Sequence, residues 1–156
     1  MHSAAASHVS MAHGITGPVF TVSTACASSN HAMGLAFQTI RGGGATAVLT
    51  GGSEAMLSFG GLKAWEALRV MSSDACRPFS ADRNGMVQGE GAAVFVFEDY
   101  DHAHARGAEI LAEVLGFGMT SDAADLVMPS REGAVRAMNM ALQDAGRNPG
   151  DVEYIN

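Results

Sequence analysis

At 156 residues, with 47% hydrophobic and 16% charged side chains, the chain has the balance of one soluble domain with a buried core. A net charge of −7 and the lack of any Lys/Arg cluster exclude nucleic acid and anionic membrane surfaces as partners. No apolar run reaches the roughly 18 residues of a membrane span, and no signal peptide opens the chain, so a cytosolic location is expected; Cys26 and Cys76 are then both thiols.

The elements follow in chain order, punctuated by glycine. Met1 to Ala4 is a small-residue stretch with no visible element before it. Pro18 to Thr24 is β-branched and aromatic and reads as extended; a helical pattern follows from Cys26, with Met33, Phe37 and Ile40 on one face, stopped by Gly42 to Gly44. Ala47 to Thr50 is a short strand ending at Gly51-Gly52, and a helix follows around Leu62, Trp65 and Leu68. Ala92 to Phe97, apolar at consecutive positions, predicts a strand buried on both faces.

A helical segment over Asp99 to Arg106 ends at Gly107, and a strand is expected over about Ile110 to Phe117. The last helix opens at Pro129-Ser130, presents Val135, Met138, Leu142 and Ala145 on one face, and closes at Gly146 and Pro149. Val152 to Ile155 begins a further strand. Strands separated by helices predict a layered α/β architecture with a parallel or mixed sheet. Ending on an emerging strand, the chain reads as a fragment of a longer protein, with exposed sheet edges if expressed alone.

Cys26 falls where an extended segment turns into a helix. The N–H groups of a first helical turn and the positive end of its dipole favour a thiolate, and could hold an oxyanion. Ala25, Ala27, Ser28 and Ser29 are small and leave room for a substrate. Position alone leaves a second reading open, a small buried hydrophobe.

Thr24 to Ser29 (TACASS) resembles the nucleophile motif of β-ketoacyl-acyl-carrier-protein synthases. Arg77 to Ala92 (RPFSADRNGMVQGEGA) is similar to the second signature of that family, with Gly51-Gly52-Ser53-Glu54 between the two and Gly116-Phe117-Gly118 and Ser121-Asp122-Ala123 after them. The resemblance extends over the whole chain. It implies a thiolase-like fold in layered αβαβα order, with residues 1–107 ending the N-terminal half and 108–156 starting the C-terminal half. It also implies a homodimer, no cofactor and no metal, and a decarboxylative Claisen condensation between an acyl group on Cys26 and malonyl carrier protein.

Residue by residue, the resemblance makes Cys26 the acylated nucleophile and its N–H one oxyanion donor. Trp65 would stand beside the acyl pocket, or be an ordinary core aromatic. Arg69 would meet the acyl carrier protein, or be a solvated arginine. His31 is expected to be structural, the histidines at 2, 8, 13, 102 and 104 to lie on the surface, and Cys76 to be structural. The family's catalytic histidines belong to a motif that Tyr154-Ile155-Asn156 would immediately precede, so the polypeptide alone is expected to be inactive.

Two departures stand out. Asp125-Leu126-Val127 replaces a stretch in which family members carry a threonine of the pantetheine channel, and Asn84 replaces an aspartate. The wording around Leu62 to Ala67 and Cys76 to Ser80 resembles nodulation-type synthases. A coenzyme A-dependent thiolase relative is argued against by the second signature, and a non-catalytic chain-length-factor partner by Cys26. No GxSxG elbow supports a hydrolase. Gly89-Glu90-Gly91, at a strand, is no nucleotide-binding loop.

Overall fold

The computed structural model describes residues 1–156. Seven regular elements follow in order: α1 (Ala4–His13), α2 (Ser28–Arg41), β1 (Ala47–Glu54), α3 (Phe59–Ala67), β2 (Gly91–Glu98), α4 (Tyr100–Ala105) and α5 (Arg131–Asp144), with a 3-10 turn at Pro149–Asp151. β1 and β2 are hydrogen-bonded neighbours in a two-stranded sheet. Gly51 is required at their closest approach: its φ is +155°, and a Cβ there would run into the carbonyl of Ala93. No helix is long and apolar enough to cross a membrane.

One compact unit comprises Met1–Phe20 and Gly51–Val94, the other Thr21–Thr50 and Phe95–Asn156. In the first, α1 was not foreseen, because its run of alanine, serine and histidine carries no apolar periodicity; Gly14, left-handed at φ +63°, caps it. α3 starts at Ser58, whose side chain accepts from the N–H of Gly61 at 3.2 Å.

In the second unit α2 places Gly34 and Ala36 inside, with Met33, Phe37 and Ile40 half-buried. α5 differs from expectation. Val135 and Met138 face outward, and the helix docks through Gly133, Ala137, Ala141 and Ala145, at i, i+4 spacing. Segment 116–118 runs too close to that face for larger side chains: a Cβ on Gly116 would lie 2.6 Å from the carbonyl oxygen of Ala141, and one on Gly118 2.6 Å from its nitrogen.

Two expected strands, Ile110 to Phe117 and Val152 to Ile155, are not formed, since neither segment has a neighbour to complete a ladder. β2 forms as expected but is not buried on both faces: Val94 is 58% exposed, Phe95 50% and Val96 61%. Nothing in the chain covers those side chains. The total exposed area is 12071 Å², whereas a closed monomer of this size exposes about 7400 Å².

Candidate active site

The turn from Thr24 to Ser28 is built on a strained residue. Ala25 has φ +51°, a left-handed conformation that a side chain disfavours. The Ser28 hydroxyl braces it on both sides, accepting the N–H of Thr24 at 2.9 Å and donating to the carbonyl of Ala25 at 2.7 Å. The N–H groups of Ala27 and Ser28 return to the carbonyls of Thr24 and Ala25, at 3.2 and 3.1 Å. Cys26 rides at the tip, exposed.

The helix starts later than expected. α2 begins at Ser28, with Ala27 as an N-cap that offers no side-chain acceptor. The amides of Ala27 and Ser28 are engaged within the turn, so they cannot also serve an oxyanion on Cys26. The N–H of Cys26 stands outside those hydrogen bonds.

Beside this turn, within the same unit, lies a groove of about 330 Å³ lined by Ala27, Asn30, His31, Phe117, Thr120 and Ser130 among others. His31 is half-buried and meets the Phe117 ring edge to face, with centroids 6.2 Å apart and planes at 86°. On the far wall the Asp122 carboxylate accepts the N–H groups of Ser130 at 2.9 Å and Ala124 at 3.2 Å. Those two donors hold its pKa below the usual carboxylate range. Asp125 likewise accepts from Met128 and Val127, at 2.9 and 2.8 Å, which lowers its pKa and presents Leu126 fully exposed.

Trp65 and Arg69 stand in the other compact unit. Trp65 is half-buried on α3. Arg69 is exposed beyond the end of that helix, left-handed at φ +57°. Below it the second signature folds around one carboxylate. Asp74 receives Arg77 at 3.0 Å, the Ser72 hydroxyl at 2.8 Å and the Asn84 amide at 3.1 Å, and these donors, with the N–H of Ala75, hold its pKa far below the ordinary range. The Asn84 oxygen, 2.6 Å from the Ser72 hydroxyl, is an alternative acceptor for the same single proton. Glu90 takes the N–H of Leu57 at 3.0 Å.

The Ser28 brace and the Asp74 cluster were missed from sequence. A serine two residues after the cysteine and the Ser72-x-Asp74 spacing were the available signals. The exposed histidines are those expected: His102 meets Glu98 at 2.5 Å and His104 stacks on Tyr100. Cys76 is exposed in the loop. No three His, Cys, Asp or Glu side chains converge on a point where they could hold a metal ion.

The family model described as beta-ketoacyl synthase, N-terminal domain, matches residues 1–103, and the corresponding C-terminal domain matches residues 111–156. The chain is 58% identical to Nodulation protein E of Rhizobium leguminosarum bv. trifolii over 100% of its own length and 39% of that protein's. It is 44% identical to 3-oxoacyl-[acyl-carrier-protein] synthase 2 of Rhizobium meliloti (strain 1021), over 97% of the chain and 38% of the relative. Among solved structures, it superposes with a TM-score of 0.93 and 36% identity on a type II PKS acyl-carrier protein in complex with its ketosynthase bound to the hexaketide, covering 99% of this chain and 40% of that one. The chain therefore spans about two fifths of these relatives' length. Its backbone is that of the thiolase-like ketosynthase fold, its wording is of the nodulation type, and the chain belongs to the beta-ketoacyl synthase family.

Proposed function

We propose that the chain is the nucleophile-bearing portion of a β-ketoacyl-acyl-carrier-protein synthase of fatty acid or polyketide biosynthesis, acting in the cytoplasm as a homodimer, with its two halves meeting near Gly107. The observation that carries the reading is Cys26, exposed at the tip of a strained turn at the head of α2.

The Cys26 sulfur attacks the thioester carbonyl of an acyl carrier protein. The carbonyl oxygen becomes an oxyanion facing the free N–H of Cys26, and its collapse expels the carrier's thiolate, which takes up the proton lost by Cys26. A malonyl carrier protein then loses CO2, and the resulting carbanion attacks the acyl-Cys26 thioester; a carbon–carbon bond forms and the Cys26 thiolate leaves. On the family resemblance, the histidines that assist decarboxylation follow Asn156. Trp65 borders the acyl pocket and Arg69 meets the acyl carrier protein. Two relatives, a 3-oxoacyl-[acyl-carrier-protein] synthase and a ketosynthase in complex with its acyl carrier protein, support this assignment.

The test is intact mass of the full-length synthase and its Cys26→Ser variant after exposure to acyl carrier thioester or to cerulenin. An adduct on the wild type that is lost in the variant is expected. A folded wild type that takes no adduct points instead to a non-catalytic chain-length-factor-like partner.

A further inference from the structure

We infer that Gly34, Phe117 and Asp144 are positioning residues that fix where α2 holds Cys26, an inference that rests on the synthase reading above. Three contacts act on one helix. The Phe117 ring occupies the space in which a Cβ on Gly34 would lie, so ring and helix backbone are in direct apposition at the middle of α2. The same ring receives His31 edge-on, within the first turn. At the other end, Arg41, the last residue of α2, meets the Asp144 carboxylate at 2.9 Å. The other oxygen of Asp144 accepts the N–H of Phe117, also at 2.9 Å. One side chain thus ties the end of α2 to the backbone of the residue packed on its centre.

This arrangement has no slack on its far side. Gly116 and Gly118 lie so close to the α5 backbone that segment 116–118 cannot retreat from α2. The Arg41 guanidinium also lies 4.6 Å from the centroid of the Phe37 ring, which limits its freedom. Packed interiors transmit displacement instead of absorbing it. A methyl at position 34 must therefore move the Phe117 ring or move α2, and a moved α2 carries Cys26 with it. An attacking sulfur displaced by about an ångström loses on the order of a hundredfold in rate.

The experiment compares two reactions of Cys26 in the full-length synthase. Transfer from an acyl carrier thioester needs alignment, whereas alkylation by iodoacetamide, a small untethered reagent, needs only an accessible thiolate. Gly34→Ala is expected to slow single-turnover acyl transfer by about tenfold to a hundredfold, with alkylation unchanged within about twofold. Phe117→Leu added to Gly34→Ala makes room for the methyl and is expected to restore transfer to within about threefold of wild type. Should Gly34→Ala fail to fold, Asp144→Ala reads the same coupling, with transfer down about tenfold and alkylation preserved.

Wild-type transfer rates in Gly34→Ala overturn the inference, as does a parallel fall of both reactions or the absence of rescue in the double variant. A wild type that is alkylated but never acylated removes the synthase reading, and this inference with it. A wild type that is acylated as fast as the Gly34→Ala variant removes the inference alone.

Discussion

The hydroxyl of Ser28 donates to the carbonyl of Ala25 at 2.7 Å, so the strained residue before Cys26 is held by a side chain from the first residue of the following helix. Through the same oxygen it also takes the N–H of Thr24. Ser28→Ala breaks both bonds. It is expected to lower stability by about 1 kcal/mol, the ordinary net worth of such contacts at a surface. It should slow acylation of Cys26 by about tenfold, since the tip loses its alignment. Urea unfolding and single-turnover mass spectrometry measure the two effects; an unchanged acylation rate removes the brace from the mechanism.

Asn84 is matched to Asp74, because its amide donates to that carboxylate at 3.1 Å while its oxygen is an alternative acceptor for the Ser72 hydroxyl. Asn84→Asp replaces the donor with a second negative charge, and two adjacent carboxylates raise one another's affinity for a proton. The variant should melt below wild type at pH 7. The deficit should narrow as pH falls toward the carboxylate range, where one of the pair becomes protonated and can donate again. Melting curves at pH 7 and pH 5 decide this, and a gap that widens with acid contradicts it.

Glu98 sits under Arg106 and His102, and the Arg106 pair at 2.7 Å is the main reason its pKa falls to about 2. A depressed carboxylate stabilises the fold above its unfolded pKa of about 4.3, and that contribution is lost as pH drops toward the folded value. Glu98→Gln removes the contribution at every pH. Its stability curve should therefore lie below wild type at pH 7 and converge with it between about pH 4 and pH 2. Denaturant midpoints across that range provide the comparison.

The uncovered apolar side chains of β2 predict the behaviour of these 156 residues expressed by themselves. Such a polypeptide should bind a hydrophobic dye strongly and melt without a sharp transition, because large exposed apolar patches and unpaired edges favour association. A monomer with a cooperative melt and no dye binding would run against that expectation.

What could be read from sequence divides along physical lines. Elements with strong punctuation were legible: Gly42 to Gly44 stops α2, Ser130 opens α5, and the apolar run at β2 forms its strand. Ile110 to Phe117 and Val152 to Ile155 carry strand propensity, but a strand also needs a neighbour, which propensity does not supply. The inward face of α5 was misjudged because periodicity weighs large apolar residues, whereas close backbone approach selects Gly133, Ala137 and Ala141. Cys26 stands out in the sequence through its motif and its place before a helix. The brace from Ser28 depends on a left-handed Ala25, which no spacing rule announces.

Four residues other than glycine hold left-handed backbones: Ala25, Arg69, Phe79 and Ala123. Each costs on the order of 1 to 2 kcal/mol that a glycine would not incur, offset in part by the extra freedom a glycine has when unfolded. Selection for heat resistance alone would find little to lose by drifting to glycine at any of them. At Ala25 that drift would exchange a stiff hinge for a loose one, directly beside the sulfur. Thermal tolerance and turnover should therefore part company at this position, and a library screened only for survival on heating would be blind to the loss.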